Sequence, residues 1–286
     1  MILLKITFFF AAFGVFDFLF PGGAWAWGPG VHTVIATGLL GDLQSLLPLV
    51  AENIRAYPLE FLYGNLAADF FVGKGIKPRE GHSHNWETGF RLMKEARGER
   101  EASYAYGFLS HLAADVIAHN YFIPIMIQKT SSWGRMGHLY WETASDCFVG
   151  PVYTKIAKEI LSMEQLGCDE LLISAVGKKK GLRARRRIFT QSVKLSDYLS
   201  GSPPRFLINR GLRRELFPVF LASMISLSYR SAKDVLLRPD GAPCLTRDPI
   251  GSRNLLLAGK RAFRRRLFGS PRRSRRFEID GELLSL

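Results

Sequence analysis

Apolar residues recur at three- and four-residue spacing along most of the chain, the period of a helix face, and the strict alternation of strands is scarce. Residues 34–56, 59–72, 86–99, 102–122, 133–163 and 212–237 each fit this period. Pro58, Pro78, Pro124 and Pro151, with the glycines near them, punctuate the pattern. Pro151 must break or kink the 133–163 stretch, because proline lacks the N–H a continuing helix needs. The pattern predicts an all-α multi-helix bundle. No internal repeat is visible. The segment 178–187, KKKGLRARRR, predicts a linker or exposed turn between residues 27–177, one helical domain, and 178–286, a basic and mostly helical C-terminal region with an Arg-rich tail.

Residues 1–26 have the form of a secretory signal. Lys5 is the lone early cation, residues 6–20 are an apolar core carrying one Asp, and Ala24-Trp25-Ala26 is a small-x-small cleavage pattern. The apolar run is too short to span a bilayer comfortably. Cleavage after Ala26 would make Trp27 the N-terminus and send the protein to the periplasm or outside the cell. The free α-amine of Trp27 would then be an available metal ligand.

Composition narrows the class. With 286 residues, 47% of them hydrophobic, the chain can bury a real core, and 21 Phe, 9 Tyr and 5 Trp exclude a solvated coil. Three scattered Cys exclude a disulfide scaffold, and the lack of any CxxC pair excludes a Cys-based zinc finger. The charge is divided: residues 27–177 hold 12 Lys+Arg against 16 Asp+Glu, a balance of −4, and residues 178–286 hold 26 against 8, a balance of +18. The tail clusters arginine at 264–266, 272–273 and 275–276, with Phe263, Leu267 and Phe268 interleaved. Such a tail is either simply solvated or adheres to a polyanion. Its apolar members favour an anionic membrane surface over nucleic acid.

All six histidines lie between residues 32 and 138. His111, Asp115 and His119 stand at i, i+4 and i+8 in HLAADVIAH, roughly one stripe of a helix otherwise made of small and apolar residues. Burying two imidazoles and a carboxylate there is costly without a partner, and zinc takes those donors. His138 and Glu142 repeat the i, i+4 spacing. Asp69 closes the apolar stretch GNLAADFF, His82 and His84 follow in GHSHNW, and His32 comes five residues after Trp27 in WGPGVH. Together these donors suffice for up to three Zn²⁺ ions with a shared carboxylate and open positions. Clustered divalent ions are a device for hydrolysing phosphate esters.

As an ordered set, Trp27, His32, Asp69, His84, His111-x-x-x-Asp115, His119 and His138-x-x-x-Glu142 resemble the zinc-dependent phospholipase C family and the related trinuclear-zinc single-strand nucleases, over about residues 27–150. The resemblance implies an all-helical fold and a phosphodiesterase. Trp27, His32 and Asp115 would hold one zinc, Asp69, His84 (or His82), His111 and Asp115 a second, and His119, His138 and Glu142 a third. A metal-bridging hydroxide would attack phosphorus, with Asp69 as the catalytic residue that orients or deprotonates it. His119 comes only four residues after Asp115, where the family has a longer gap with a break in the helix. The HLAADVIAHNYF segment is closer to the phospholipases, and the implied protein is a secreted, monomeric phospholipase C acting on glycerophospholipids. The alternatives are a nuclease or nucleotidase on single-stranded nucleic acid, to which the WGxxxH opening is closer, and a non-catalytic helical protein stabilised by zinc.

Overall fold

The computed structural model describes residues 27–71, 81–130, 134–177, 181–201 and 216–268, together with Gly281. The signal-like segment and the arginines at 272–276 lie outside the described residues. The helices are α1 (Pro29–Gly41), α2 (Pro48–Ala56), α3 (Pro58–Ala67), α4 (Trp86–Glu95), α5 (Glu99–Ile117), α6 (Ile123–Thr130), α7 (Gly134–Val149), α8 (Pro151–Ser162), α9 (Leu166–Val176), α10 (Leu182–Gly201), α11 (Leu216–Leu237) and α12 (Ser252–Phe268). No strand occurs among the described residues, so the fold is the all-α bundle that the periodicity predicts.

Proline sets several helix starts. It occupies the first turn of α1, α2, α3 and α8, where its missing N–H has no intrahelical partner to lose. The expected 34–56 helix is therefore two helices, parted by a short 3₁₀ turn at Leu43–Ser45 before Pro48. The 59–72 stretch ends its α-helix at Ala67 and passes into a 3₁₀ turn, Ala68–Phe71. The 133–163 stretch parts at Gly150, whose φ of 94° leads into Pro151. Residues 181–187 are not a linker. Helix α10 begins at Leu182, and within it Arg186 is anchored: it donates to Asp169 at 2.9 Å and lies over the Tyr63 ring, 5.2 Å from its centre.

Helix α5 is the axis of the bundle, buried from Ser103 to Ile117. It packs against α3, α11, α4 and α2. Contact with α3 is close enough that a Cβ on Gly64 would lie 2.0 Å from the Tyr104 carbonyl oxygen, and one on Gly107 would lie 2.0 Å from that of Phe61. Helix α11 joins the same core. The Trp27 indole stacks near Phe122, 4.5 Å between ring centres, and donates to Ser228 Oγ at 3.0 Å. The expected 102–122 helix is regular only to Ile117. It then widens into a π turn over Ala118–Phe122 and continues as α6 straight through Pro124. Pro124 has no N–H to return to Asn120. The Asn120 carbonyl instead accepts the Asn254 amide at 3.3 Å, so the helix continues despite the proline.

Candidate metal centre

Eight of the sequence-predicted donors converge inside the bundle. His32 comes from α1, Asp69 from the 3₁₀ turn after α3, His84 from the loop before α4, and His111 and Asp115 from α5. The π turn supplies His119, and α7 supplies His138 and Glu142. All eight are buried. Such a concentration of ionisable groups in an apolar core is costly unless something neutralises it.

The spacing shows what fits. His84 Nε2 lies 3.2 Å from His111 Nε2, 3.2 Å from Asp69 Oδ1 and 3.2 Å from Asp115 Oδ2. His111 Nε2 is 3.2 Å from Asp115 Oδ2 and 3.8 Å from Asp69 Oδ1. Four donors set tetrahedrally about zinc at ~2.0–2.1 Å stand about 3.3 Å apart, which these separations approach. His32 Nε2 reaches Asp115 Oδ1 at 3.2 Å, and its ring stacks on His111 at 3.8 Å between centres. His119 approaches Asp115 Oδ2 at 3.6 Å, and His138 Nε2 approaches Glu142 Oε1 at 3.2 Å. The His119 and His138 rings stand 5.3 Å apart.

Many of these atoms have no hydrogen-bond partner, although His84 Nε2 and His111 Nε2 stand at hydrogen-bond distance. Both nitrogens of His32 and of His119, His138 Nε2, Asp69 Oδ2 and both oxygens of Asp115 and of Glu142 are buried without a hydrogen-bond partner. Buried polar groups rarely stay unpaired, and so many unpaired donor atoms gathered around shared points suit cations. The N/O donor set is the kind zinc takes.

The far side of two rings is fixed by neighbours. His111 Nδ1 lies 2.7 Å from the Asn65 carbonyl oxygen, which must accept its proton and leaves Nε2 as a bare donor facing the cluster. The glycine contact of α3 with α5 brings that carbonyl within reach. His84 Nδ1 pairs with Ser83 Oγ at 3.2 Å. His82 does not join the donors. Its Nδ1 accepts the backbone N–H of His84 at 3.1 Å, and Thr88 Oγ1 donates to its carbonyl, so it braces the loop that aims His84.

Electrostatics follow from burial and from neighbours. Burial would raise the Asp69 and Asp115 carboxyls, but the surrounding imidazoles outweigh it and hold both below the usual range. Burial would lower His84, but Asp115 and Asp69 outweigh it and push it up to about 9. Burial lowers His32 and His138 and raises Glu142, which also faces the negative charge of Asp69 and Asp115.

Trp27 is buried with its indole anchored on Ser228. The turn after it is held by a residue the sequence reading missed. Asp146 Oδ1 accepts the Val31 N–H at 3.0 Å and Oδ2 accepts Ser196 Oγ at 2.9 Å, and a Cβ on Gly28 would meet this carboxyl at 2.4–2.5 Å. A signal existed, since Asp146 extends the His138, Glu142 spacing by another four residues. Asn65 carried none, because its contribution is a backbone carbonyl.

A family model described as zinc dependent phospholipase C matches residues 31–174, a span that holds all eight clustered donors. No curated protein and no solved structure matches the chain.

Proposed function

This chain belongs to the zinc-dependent phospholipase C family, and on that premise we propose that it is a secreted phosphodiesterase that cleaves glycerophospholipids into diacylglycerol and a phosphorylated headgroup. The observation that carries the proposal is the cluster of buried His and Asp atoms at tetrahedral-edge spacing, many of them without a hydrogen-bond partner. His32 and Asp115, with the Trp27 amine once the signal is removed, would hold one ion. Asp69, His84, His111 and Asp115 would hold a second, and His119, His138 and Glu142 a third. Bound zinc supplies an acidified water and positive charge against the phosphoryl oxygens.

The chain's own residues contribute orientation and a proton acceptor. Asp69 turns Oδ1 toward His84, and its Oδ2 has no hydrogen-bond partner. The imidazoles keep its carboxyl ionised, so Oδ2 can accept the proton of a water attacking phosphorus in line with the departing diacylglycerol oxygen. The family's phospholipase name and the HLAADVIAH helix support lipid over nucleic acid as substrate.

The test uses zinc-loaded mature protein beginning at Trp27 with mixed phospholipid vesicles. Water-soluble phosphorylated headgroup is quantified against an Asp115→Asn control. Release that the control abolishes supports the proposal. No release despite bound zinc overturns it, and cleavage of a single-stranded oligonucleotide under the same conditions would replace it with the nuclease.

A further inference from the structure

Helix α12 lies outside the span that the family model matches and has two unlike faces. Leu255, Ala258 and Ala262 are buried, and the helix packs on α6 and the π turn. Arg253, Leu256, Leu257, Lys260, Arg261, Phe263 and Arg264 are exposed. At about 100° per residue, Arg253, Lys260 and Arg264 share the centre line of the outer face, Leu256 and Phe263 flank it on one side, and Leu257 on the other. Leu256 is 56% exposed and Phe263 is 59% exposed, and no acidic residue occurs between Ser252 and Phe268.

We propose that this outer face docks the protein on an anionic lipid bilayer. The cations would meet headgroup phosphates while Leu256 and Phe263 enter the boundary with the acyl chains, the arrangement of an interfacial helix. A second copy of the chain is a poor occupant, because basic face would meet basic face. Nucleic acid would satisfy the cations and leave the flanking leucines in water.

The helix is also tied to the metal centre. Asn254 Nδ2 donates to Asn120 Oδ1 at 3.0 Å, and the Asn120 amide donates to the Asp248 carbonyl at 2.9 Å. Asp248 caps α12 by accepting the Ser252 N–H at 3.1 Å, and Gly251 lies against the backbone of His119. A membrane held on the outer face of α12 would lie across that helix, about one helix diameter, from the turn that carries His119. Placing the lipid substrate there rests on the phospholipase reading.

The experiment is co-sedimentation of the zinc-loaded mature chain with phosphatidylcholine vesicles, with and without phosphatidylglycerol. Two exposed-face variants are compared, Lys260→Glu/Arg264→Glu and Leu256→Ser/Phe263→Ser, each checked for an unchanged thermal midpoint and zinc content. The parent should prefer the anionic vesicles, and each variant should bind them at least about tenfold more weakly. Parent-like binding by both variants overturns the proposal. So does a loss confined to the charge-reversed variant together with equal binding of the parent to a single-stranded oligonucleotide, which makes the face a general polyanion site. Hydrolysis of a soluble short-chain phospholipid by the parent is scored separately. Failure there with retained vesicle binding removes the catalytic reading and leaves the docking face standing.

Discussion

Gly251 is one point where the C-terminal region bears on the candidate metal centre, and Gly251→Ala tests that contact. The residue has φ +63°, and an added Cβ would lie 2.5 Å from His119 O, 2.6 Å from its Cβ and 2.7 Å from its carbonyl carbon. The left-handed conformation costs alanine about 1–2 kcal/mol. Overlap with backbone, which cannot swing aside, adds about 1–3 kcal/mol. A stiffer unfolded chain returns about 0.4–1 kcal/mol. The net expectation is a loss of about 1–4.6 kcal/mol, a large part of a typical stability of about 5–15 kcal/mol. If the loop yields instead, the π turn moves and His119 leaves its partners, so bound zinc falls. Urea unfolding and zinc content per chain read both outcomes. Gly259→Ala is the control: nothing lies within 4 Å of its added Cβ, and in a helix it should stabilise by up to about 1 kcal/mol. A Gly251→Ala protein within about 0.5 kcal/mol of the parent and with full zinc content refutes the contact's importance.

Three further outcomes are expected. Asp115→Asn removes the carboxylate that approaches His32, His84, His111 and His119, so metal analysis after gel filtration should find less than half the parent's zinc. His84 is held protonated up to about pH 9 without metal, so zinc binding at neutral pH should release about one proton from it. Calorimetry in buffers of different ionisation enthalpy would detect that proton. Zinc affinity should climb with pH until about 9, and His84→Gln should lose this component. Burial pushes the Asp146 carboxyl up to about 6 from an unfolded value of 3.8, so the native state binds the extra proton between them. Stability should fall as pH rises from about 4 to about 6 and then level, and Asp146→Asn should lack that slope in denaturation curves taken across this range.

Much of this was legible in the chain, for reasons that can be named. Helices with a sustained apolar period, such as α5 and α11, announce themselves because burial demands the period. The His and Asp positions were legible because ionisable residues among alanines and leucines have few other uses. Boundaries set by one residue's chemistry were half visible. Pro151 broke its helix as expected, whereas Pro124 did not, since Asn254, 134 residues away, satisfies the Asn120 carbonyl. The π turn was hidden for a related reason. The sequence shows His119 four residues after Asp115, and nothing local says that the helix widens there instead of continuing its stripe. Helices α10 and α12 were obscured by their arginines, which look like solvent-facing runs until Arg186 is seen bonded to Asp169 and Leu255 is seen buried.

The tie between Trp27 and Ser228 spans 201 residues and bears on the order in which the molecule is made. Synthesis runs from the N-terminus, so the Trp27 indole, ahead of α1, meets Phe122 first and its hydrogen-bond partner Ser228 only about a hundred residues later. Residues 31–174 carry every clustered donor, yet His119 receives its Gly251 backing later still. Contacts between ends so distant in sequence close slowly. During that interval the donors and the Asn65 and Ser83 braces exist, but the backing of His119 does not. A chain truncated before α11 would carry all eight donors but lack the Ser228 and Gly251 contacts that brace Trp27 and His119.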